Sequence, residues 1–158
     1  MPRRYTASLK FRDFLNAWGP VIGWMALMFV GSSDLFSGEH TSRFLTPLLR
    51  WLNPEISLAA IAQVHLFVRK AAHVTEYAVL ASLIHRALRG VIDGFWFRAG
   101  TALVLAFLFA ALDEYHQSFV PSRTSSLGDV GLDLAGALLG VLVCGVFHLA
   151  TQSRELTT

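Results

Sequence analysis

Ionisable and hydrogen-bonding side chains recur at helical spacing in two segments of this chain. Glu76 and Tyr77 follow His73 by three and four residues, so a helix would carry all three on one face. Asp113 and Gln117 repeat the four-residue step. Paired carboxylates beside a histidine can act as general base and general acid on a phosphate ester or a glycosidic bond. Glu76 or Asp113 is therefore a candidate general base, with His73 as its catalytic partner.

The same segments could instead bind a polar ligand. Asp129 and Asp133 are again four residues apart, and carboxylates of this kind bind sugar hydroxyls or amines. Arg69, Lys70 and Arg123 flank the acidic segments and could hold a phosphate or carboxylate group, the arginines in a two-pronged geometry. The candidate ligand-binding residues are Arg69, Lys70, Tyr77, Glu114, Gln117, Arg123, Asp129 and Asp133.

A divalent metal is a third possibility. The acids together with His73 and His116 could ligate one, since carboxylate oxygens favour Mg or Mn and imidazole favours Zn. The spacings are not specific to any metal site, so the metal ligands stay unassigned. The chain contains no nucleophile motif, phosphate loop or dinucleotide fingerprint.

The elements that must position these residues are transmembrane helices. With 158 residues, 54% hydrophobic and 15% charged, the chain is a single domain, residues 1–158, and too apolar for a soluble fold of this size. Residues 14–33 and 134–153 carry no Asp, Glu, Lys or Arg over the roughly 20 residues that a membrane-spanning helix needs. These two stretches are the anchors of the topology.

The expected fold is an all-α membrane protein, a bundle of four transmembrane helices. Their expected bounds are about 14–33, 69–88, 96–119 and 126–150. Residues 41–52 alternate apolar and charged positions at helical spacing, which predicts a helical segment in the membrane interface between the first two helices. This segment could be a lid over the bundle or could admit a lipid, and both interpretations stay open.

Orientation follows from the basic residues. One set of helix ends carries the larger group, namely Arg3, Arg4, Lys10, Arg12, Arg86, Arg89, Arg98 and Arg154. Lys and Arg accumulate on the cytoplasmic side, so both termini are expected in the cytoplasm. The helix directions then bring the three polar segments to one depth in the outer leaflet. A cleaved signal peptide is disfavoured because the first apolar run exceeds the about 7–15 residues of such signals.

Other sequence features point away from a soluble or nucleic-acid partner. The net charge is only +2 and the basic residues cluster at helix ends, so no nucleic-acid surface is predicted. Cys144 is the single cysteine, which excludes an intrachain disulfide. The histidines outside the polar segments are interpreted as structural; they are His40, His65, His85 and His148.

Three ordered motifs carry a family resemblance. They are Arg69-Lys70-x-x-His73-x-x-Glu76-Tyr77, then Asp113-Glu114-x-x-Gln117-x-x-x-Pro121-x-Arg123, then Asp129-x-x-x-Asp133-x-x-Gly136. Over residues 21–146 the chain resembles the VanZ-like family of small bacterial membrane proteins. The resemblance implies a multi-pass protein of the bacterial inner membrane. It also implies kinship with a founding member associated with resistance to teicoplanin, a lipid-bearing glycopeptide.

Three functions remain open on these grounds. The polar residues could bind the head of an amphiphile, either an envelope lipid carrier or a lipid-linked drug, with an effect on antibiotic resistance or envelope homeostasis. They could also form an intramembrane hydrolase or transferase acting on a lipid-linked phosphate or sugar. Finally, a salt-bridge network could simply hold the helices together, in a structural partner of a membrane complex. Ligand identity and oligomeric state are not readable from the sequence.

Overall fold

A computed structural model of the chain describes residues 11–32, 38–119 and 127–155. Within these ranges the chain forms five α-helices and no β-strand. They are α1 (Phe11–Ser32), α2 (Gly38–Leu52), α3 (Leu58–Ala87), α4 (Phe95–Gln117) and α5 (Leu127–Glu155). The all-helical class expected from the sequence is therefore confirmed.

Three of these helices are long and apolar enough to cross a bilayer. The qualifying spans are Phe11–Gly31, Phe95–Gln117 and Gly128–Arg154, in α1, α4 and α5. The described chain is thus a membrane protein by the length and composition of its helices. Helix α3 is not among these spans, because ionisable and polar residues interrupt its apolar positions. A fourth crossing, by α3, stays a prediction.

Helix α3 is longer than expected. It begins at Leu58 rather than near Arg69 and runs unbroken for 30 residues, about 45 Å at 1.5 Å per residue. Ser57 starts it, since its hydroxyl oxygen accepts a hydrogen bond of 3.1 Å from the backbone N–H of Ala60. The partly apolar residues before Arg69, which lie outside the expected bounds of 69–88, are therefore the first turns of this helix.

The loop between α3 and α4 is short, as the sequence predicts. Helix α3 tightens into a 3-10 turn over Leu88–Gly90, and the chain re-enters a helix at Phe95. Gly94 precedes α4 with a φ of 84°, a backbone conformation that costs a glycine little. The reversal leaves α3 and α4 antiparallel neighbours.

The amphipathic segment before α3 forms the predicted helix, α2, which extends further toward the N-terminus than the expected 41–52. The Thr46 hydroxyl is hydrogen-bonded to the Nε2 atom of His65 on α3, at 3.1 Å. Phe44 and Trp51 on α2 are 83% and 77% exposed. The helix is thus held to the first turns of α3 while presenting an unburied apolar surface.

The contacts of α3 show how the long helices run. The indole N–H of Trp24 on α1 donates to the backbone carbonyl of Glu76 at 3.0 Å, and Arg86 donates to the carbonyl of Asn16 at 3.3 Å. Residue numbers increase along α1 in the direction in which they decrease along α3, so the two helices are antiparallel. Helix α4 is antiparallel to α3 as well, whereas α5 runs parallel to it.

Small residues face inward and large apolar residues face outward in α4. Ala102, Ala106 and Ala110 are at most 1% exposed, whereas Leu108 and Leu112 are 51% and 64% exposed. Water-soluble helices usually bury their large apolar side chains, but helices in lipid associate through small ones. The packing therefore supports a membrane setting independently of helix length.

Candidate functional site

Helix α3 supplies a buried face that changes character along its length. His73 and Tyr77 are buried and one helical turn apart, and Leu80 and Ile84 continue the same buried face with apolar side chains. Because every neighbouring helix packs against α3, its polar turns are enclosed by protein. One end of the bundle interior is thus polar and the middle is apolar.

Helix α4 extends its alanine face with polar residues. Ala106 and Ala110 are followed at helical spacing by Asp113 and Gln117, and these two are 5% and 1% exposed. The Gln117 Nε2 group donates a hydrogen bond of 2.8 Å to Oδ2 of Asp113. The pair expected from its four-residue spacing therefore forms within one helix and points into the bundle.

Two glycines of α5 allow the close approach that completes the site. A Cβ atom built on Gly136 would lie 2.9 Å from the Cα of Val74, and one on Gly140 would lie 2.9 Å from the Cα of Ala78. The Ser82 hydroxyl donates to the carbonyl of Gly140 at 3.2 Å across the same contact. Only glycine fits at these positions, so the two helix backbones touch here.

This crossing brings Asp133 to His73. The Oδ1 atom of Asp133 and the Nδ1 atom of His73 share a hydrogen bond of 3.0 Å, and the two residues are 1% and 8% exposed. Arg69 and Asp129 precede His73 and Asp133 by one helical turn on their respective helices. They form a looser ion pair of 3.9 Å that is partly open to solvent. The first and third polar segments are thus joined at two levels.

Tyr77 is a buried side chain within electrostatic reach of several acidic groups. Its side chain is 1% exposed, and its ring centroid is 6.3 Å from that of Phe109. Four carboxylates lie close enough to act electrostatically on its hydroxyl; they belong to Glu76, Asp113, Glu114 and Asp133. Among the described residues the hydroxyl has no hydrogen-bond partner. A buried hydroxyl without a partner costs about 1–3 kcal/mol, so a ligand that reached it could offset this cost with a hydrogen bond.

The remaining predicted residues fall at the edge of this arrangement or outside it. Glu114 is buried and Glu76 is half-buried, whereas Lys70, about two helical turns before Tyr77 on α3, is exposed. Arg123 lies outside the described residues. We call the group that the structure brings together the polar cluster; it comprises Arg69, His73, Glu76, Tyr77, Asp113, Glu114, Gln117, Asp129 and Asp133.

The metal hypothesis receives no geometric support from the described part of the chain. No three of its His, Cys, Asp or Glu side chains lie close enough together to hold a metal ion. His116, a suggested ligand, has its ring 4.4 Å from the ring of Phe29 on α1.

Sequence reasoning missed the residues that hold the polar cluster from outside. Trp24 fixes the backbone of Glu76 from α1, and Phe109 covers the ring of Tyr77 from α4. Both look like ordinary apolar residues of a membrane helix. Their positions could have identified them, because each lies on the inward face of its helix at the depth of the polar segments.

Among the residues that the structure describes, which do not include Arg123, the polar cluster contains more acids than bases. Its carboxylates belong to Glu76, Asp113, Glu114, Asp129 and Asp133, against one arginine and the imidazole of His73. Carboxylates accept hydrogen bonds, so they suit a partner that donates, such as a hydroxyl or an amine. The histidine, oriented by Asp133, could also accept a proton in a reaction.

Comparison with known proteins and protein families places the chain in a family. Neither the curated proteins nor the solved structures include a significant similarity to this chain. The sequence model of the VanZ/LLP1 family, however, matches residues 16–148, which include α1 from its second turn, the whole polar cluster and most of α5. The chain therefore belongs to the VanZ/LLP1 family of proteins.

Proposed function

We propose that the polar cluster binds the polar head of an amphiphile in the outer leaflet of a bacterial inner membrane. The ligand would be an envelope lipid carrier or a lipid-linked glycopeptide, and binding would serve envelope homeostasis or antibiotic resistance. The observation that carries the proposal is the Tyr77 hydroxyl, which is buried, has no hydrogen-bond partner in the described chain and lies within electrostatic reach of four carboxylates.

A fourth membrane crossing by α3 belongs to this proposal. Helix α3 lies between α1 and α4 and is antiparallel to both, as the contacts of Glu76 with Trp24 and of Tyr77 with Phe109 indicate. Helices packed along their lengths in this way share a depth range. If α1 and α4 span the bilayer, α3 spans it with them, and its polar residues are protected from lipid by its neighbours.

Orientation rests on charge at the two ends of the bundle. Arg86, Arg89, Arg98 and Arg154 lie at the end opposite the polar cluster. The accumulation of Lys and Arg on cytoplasmic loops favours that end as cytoplasmic. Both termini would then be cytoplasmic, and the polar cluster would lie toward the outer leaflet.

The carboxyl groups of the polar cluster favour a ligand head that donates hydrogen bonds. Hydroxyls and amines are such donors. Arg69 lies at the outer edge of the cluster, where it could contact an anionic group of the same ligand. A head carrying sugars or amines next to a phosphate matches both features.

The test is native mass spectrometry of the purified protein in nanodiscs. The probes are undecaprenyl phosphate, teicoplanin and phosphatidylethanolamine, each compared with phosphatidylcholine, whose choline head has no N–H donor. We expect at least one probe to be retained in preference to phosphatidylcholine. Tyr77→Phe should weaken that retention by about tenfold, or about 1.4 kcal/mol.

The matched control is Tyr115→Phe, which removes the same hydroxyl from a tyrosine that is 67% exposed. It should leave retention unchanged. The proposal would be overturned if the three probes were retained no better than phosphatidylcholine. It would also be overturned if Tyr77→Phe bound the retained probe as well as the wild type does. Loss of thermal stability in Tyr77→Phe without a ligand effect would instead favour a purely structural role in a membrane complex.

The hydrogen bond between His73 and Asp133 favours a second candidate, an intramembrane hydrolase or transferase. A buried carboxylate that orients an imidazole is the arrangement by which a histidine becomes an effective general base. Glu76 or Asp113 would supply a further carboxylate to the reaction on a lipid-linked phosphate or sugar. Turnover of a lipid-linked phosphate or sugar equal to the wild type in His73→Ala, and likewise in Glu76→Gln and Asp113→Asn, would remove this candidate.

A further inference from the structure

A cavity of about 430 Å³ lies at the end of the bundle opposite the polar cluster. Residues of α3, α4 and α5 and of the turn after α3 line it, among them His85, Arg89, Arg98 and His148. Its size is within the range of pockets that hold small ligands, about 300–1,000 Å³. Nothing in the motifs of the polar cluster accounts for it.

The charge of this cavity is the reverse of that of the polar cluster. Arg89, Arg98 and His148 lie close enough to act electrostatically on the ring of His85. None of the eight lining residues is acidic. Cationic side chains gathered in a described lining that contains no carboxylate repel one another, so the arrangement favours an anion between them.

His85 is the polar group most deeply placed in this cavity. It is 1% exposed, yet neither ring nitrogen makes a hydrogen bond of ordinary length and angle with the described residues. The backbone of Phe95 lies close enough to act on the ring. A polar side chain buried in this way is costly unless a ligand meets it.

Aromatic rings hold the histidines in place. The ring of Phe95 lies 4.8 Å from that of His85 and stacks on that of His148 at 5.1 Å, with an interplanar angle of 3°. Arg98 is fixed by donating to the carbonyl of Ile92 at 3.2 Å. The rings of His85 and His148 and the guanidinium of Arg98 are therefore positioned by contacts within the protein.

The surface around the cavity suits a lipid. Trp96, Phe97 and Phe147 are 80%, 77% and 68% exposed, and Trp at a membrane boundary lies at head-group depth. We propose that this cavity binds a phosphate group, and that the phosphate is carried by the head of an anionic phospholipid. The site is separate from the polar cluster and does not depend on the function proposed for it. We name it the basic pocket.

The experiment uses the full chain in nanodiscs that contain equal amounts of phosphatidylglycerol and phosphatidylcholine. Native mass spectrometry should find phosphatidylglycerol preferentially retained by the wild type. Arg98→Gln and Arg89→Gln should each reduce that preference by about tenfold. Arg154→Gln is the matched control, because Arg154 is an exposed cation at the same end of the bundle that does not line the pocket.

The Arg89→Gln variant tests the proposal even if Arg98→Gln fails to fold. Because Arg98 also holds the loop at Ile92, its loss can unfold the protein, whereas Arg89 is exposed and its replacement should not. No preference for phosphatidylglycerol, or equal loss in Arg89→Gln and Arg154→Gln, would overturn the proposal in favour of diffuse surface charge. If millimolar inorganic phosphate displaces phosphatidylglycerol, the phosphate site is supported but its ligand is a soluble anion and not a lipid. If phosphatidylglycerol resists displacement, the lipid is supported.

Discussion

The imidazole of His73 and the carboxylate of Asp133 share a hydrogen bond of 3.0 Å across the interface of α3 and α5, although 60 residues separate them in the sequence. Gly136, one turn further along α5, touches the backbone of α3 beside this contact. The hydrogen bond and the close helix crossing therefore depend on each other.

The contact between His73 and Asp133 should be measurable as a coupling energy. A double-mutant cycle of His73→Ala and Asp133→Ala, read as the free energy of unfolding in detergent, should give a coupling of about 1–2 kcal/mol. This is near the upper limit for polar contacts between membrane helices, because both groups are buried. Asp93→Ala, in an exposed loop, should not couple to His73→Ala. If the destabilisation in the double mutant equalled the sum of the two single-mutant values within about 0.3 kcal/mol, the hydrogen bond would not stabilise the bundle.

Adding a methyl group to Gly140 should separate α3 from α5. Gly140→Ala forces a Cβ against the backbone of Ala78 and should reduce the free energy of unfolding by about 1–3 kcal/mol. Gly131→Ala, on the same helix, meets no described atom within 4 Å and should be neutral or stabilising by up to about 1 kcal/mol. Thermal unfolding of the two variants tests this, and equal stability would contradict the close crossing.

The fourth crossing can be tested by labelling. In a Cys144→Ser background, Asn53→Cys and Asp93→Cys place single thiols in the exposed connections before and after α3. We expect a membrane-impermeant maleimide to label residue 53 in intact cells and residue 93 only after permeabilisation, since α3 would separate the two compartments. Labelling of both from the same side would show that α3 does not cross.

Helix α2 should loosen when its bond to α3 is removed. Thr46→Val keeps the shape of the side chain but loses the hydrogen bond to His65, so amide hydrogen exchange in α2 should accelerate by several-fold. Thr75→Val is the control, because the Thr75 hydroxyl bonds only to the carbonyl of Ala71 within its own helix. Unchanged exchange in Thr46→Val would mean that apolar packing alone holds α2.

Helical periodicity was sufficient to anticipate most of the fold and which residues share a face. The apolar runs predicted α1, α4 and α5, and the spacing of Asp113 and Gln117 predicted their shared stripe. The start of α3 was misjudged, because Arg69 and Lys70 look like a membrane boundary although the helix continues through them from Leu58. A charged pair does not interrupt helical hydrogen bonding, so it cannot mark the end of a helix.

The sequence by itself determined that this chain forms membrane-spanning helices and that its polar residues recur at helical spacing, because length, hydropathy and periodicity are local properties. Only the tertiary structure decided that Asp133, and not Glu76 or Asp113, is the partner of His73. That choice depends on how closely two helices approach and how each is rotated, which Gly136 and the inward alanines of α4 set. The same packing created the basic pocket around His85, a residue whose sequence neighbours indicated nothing beyond a structural role.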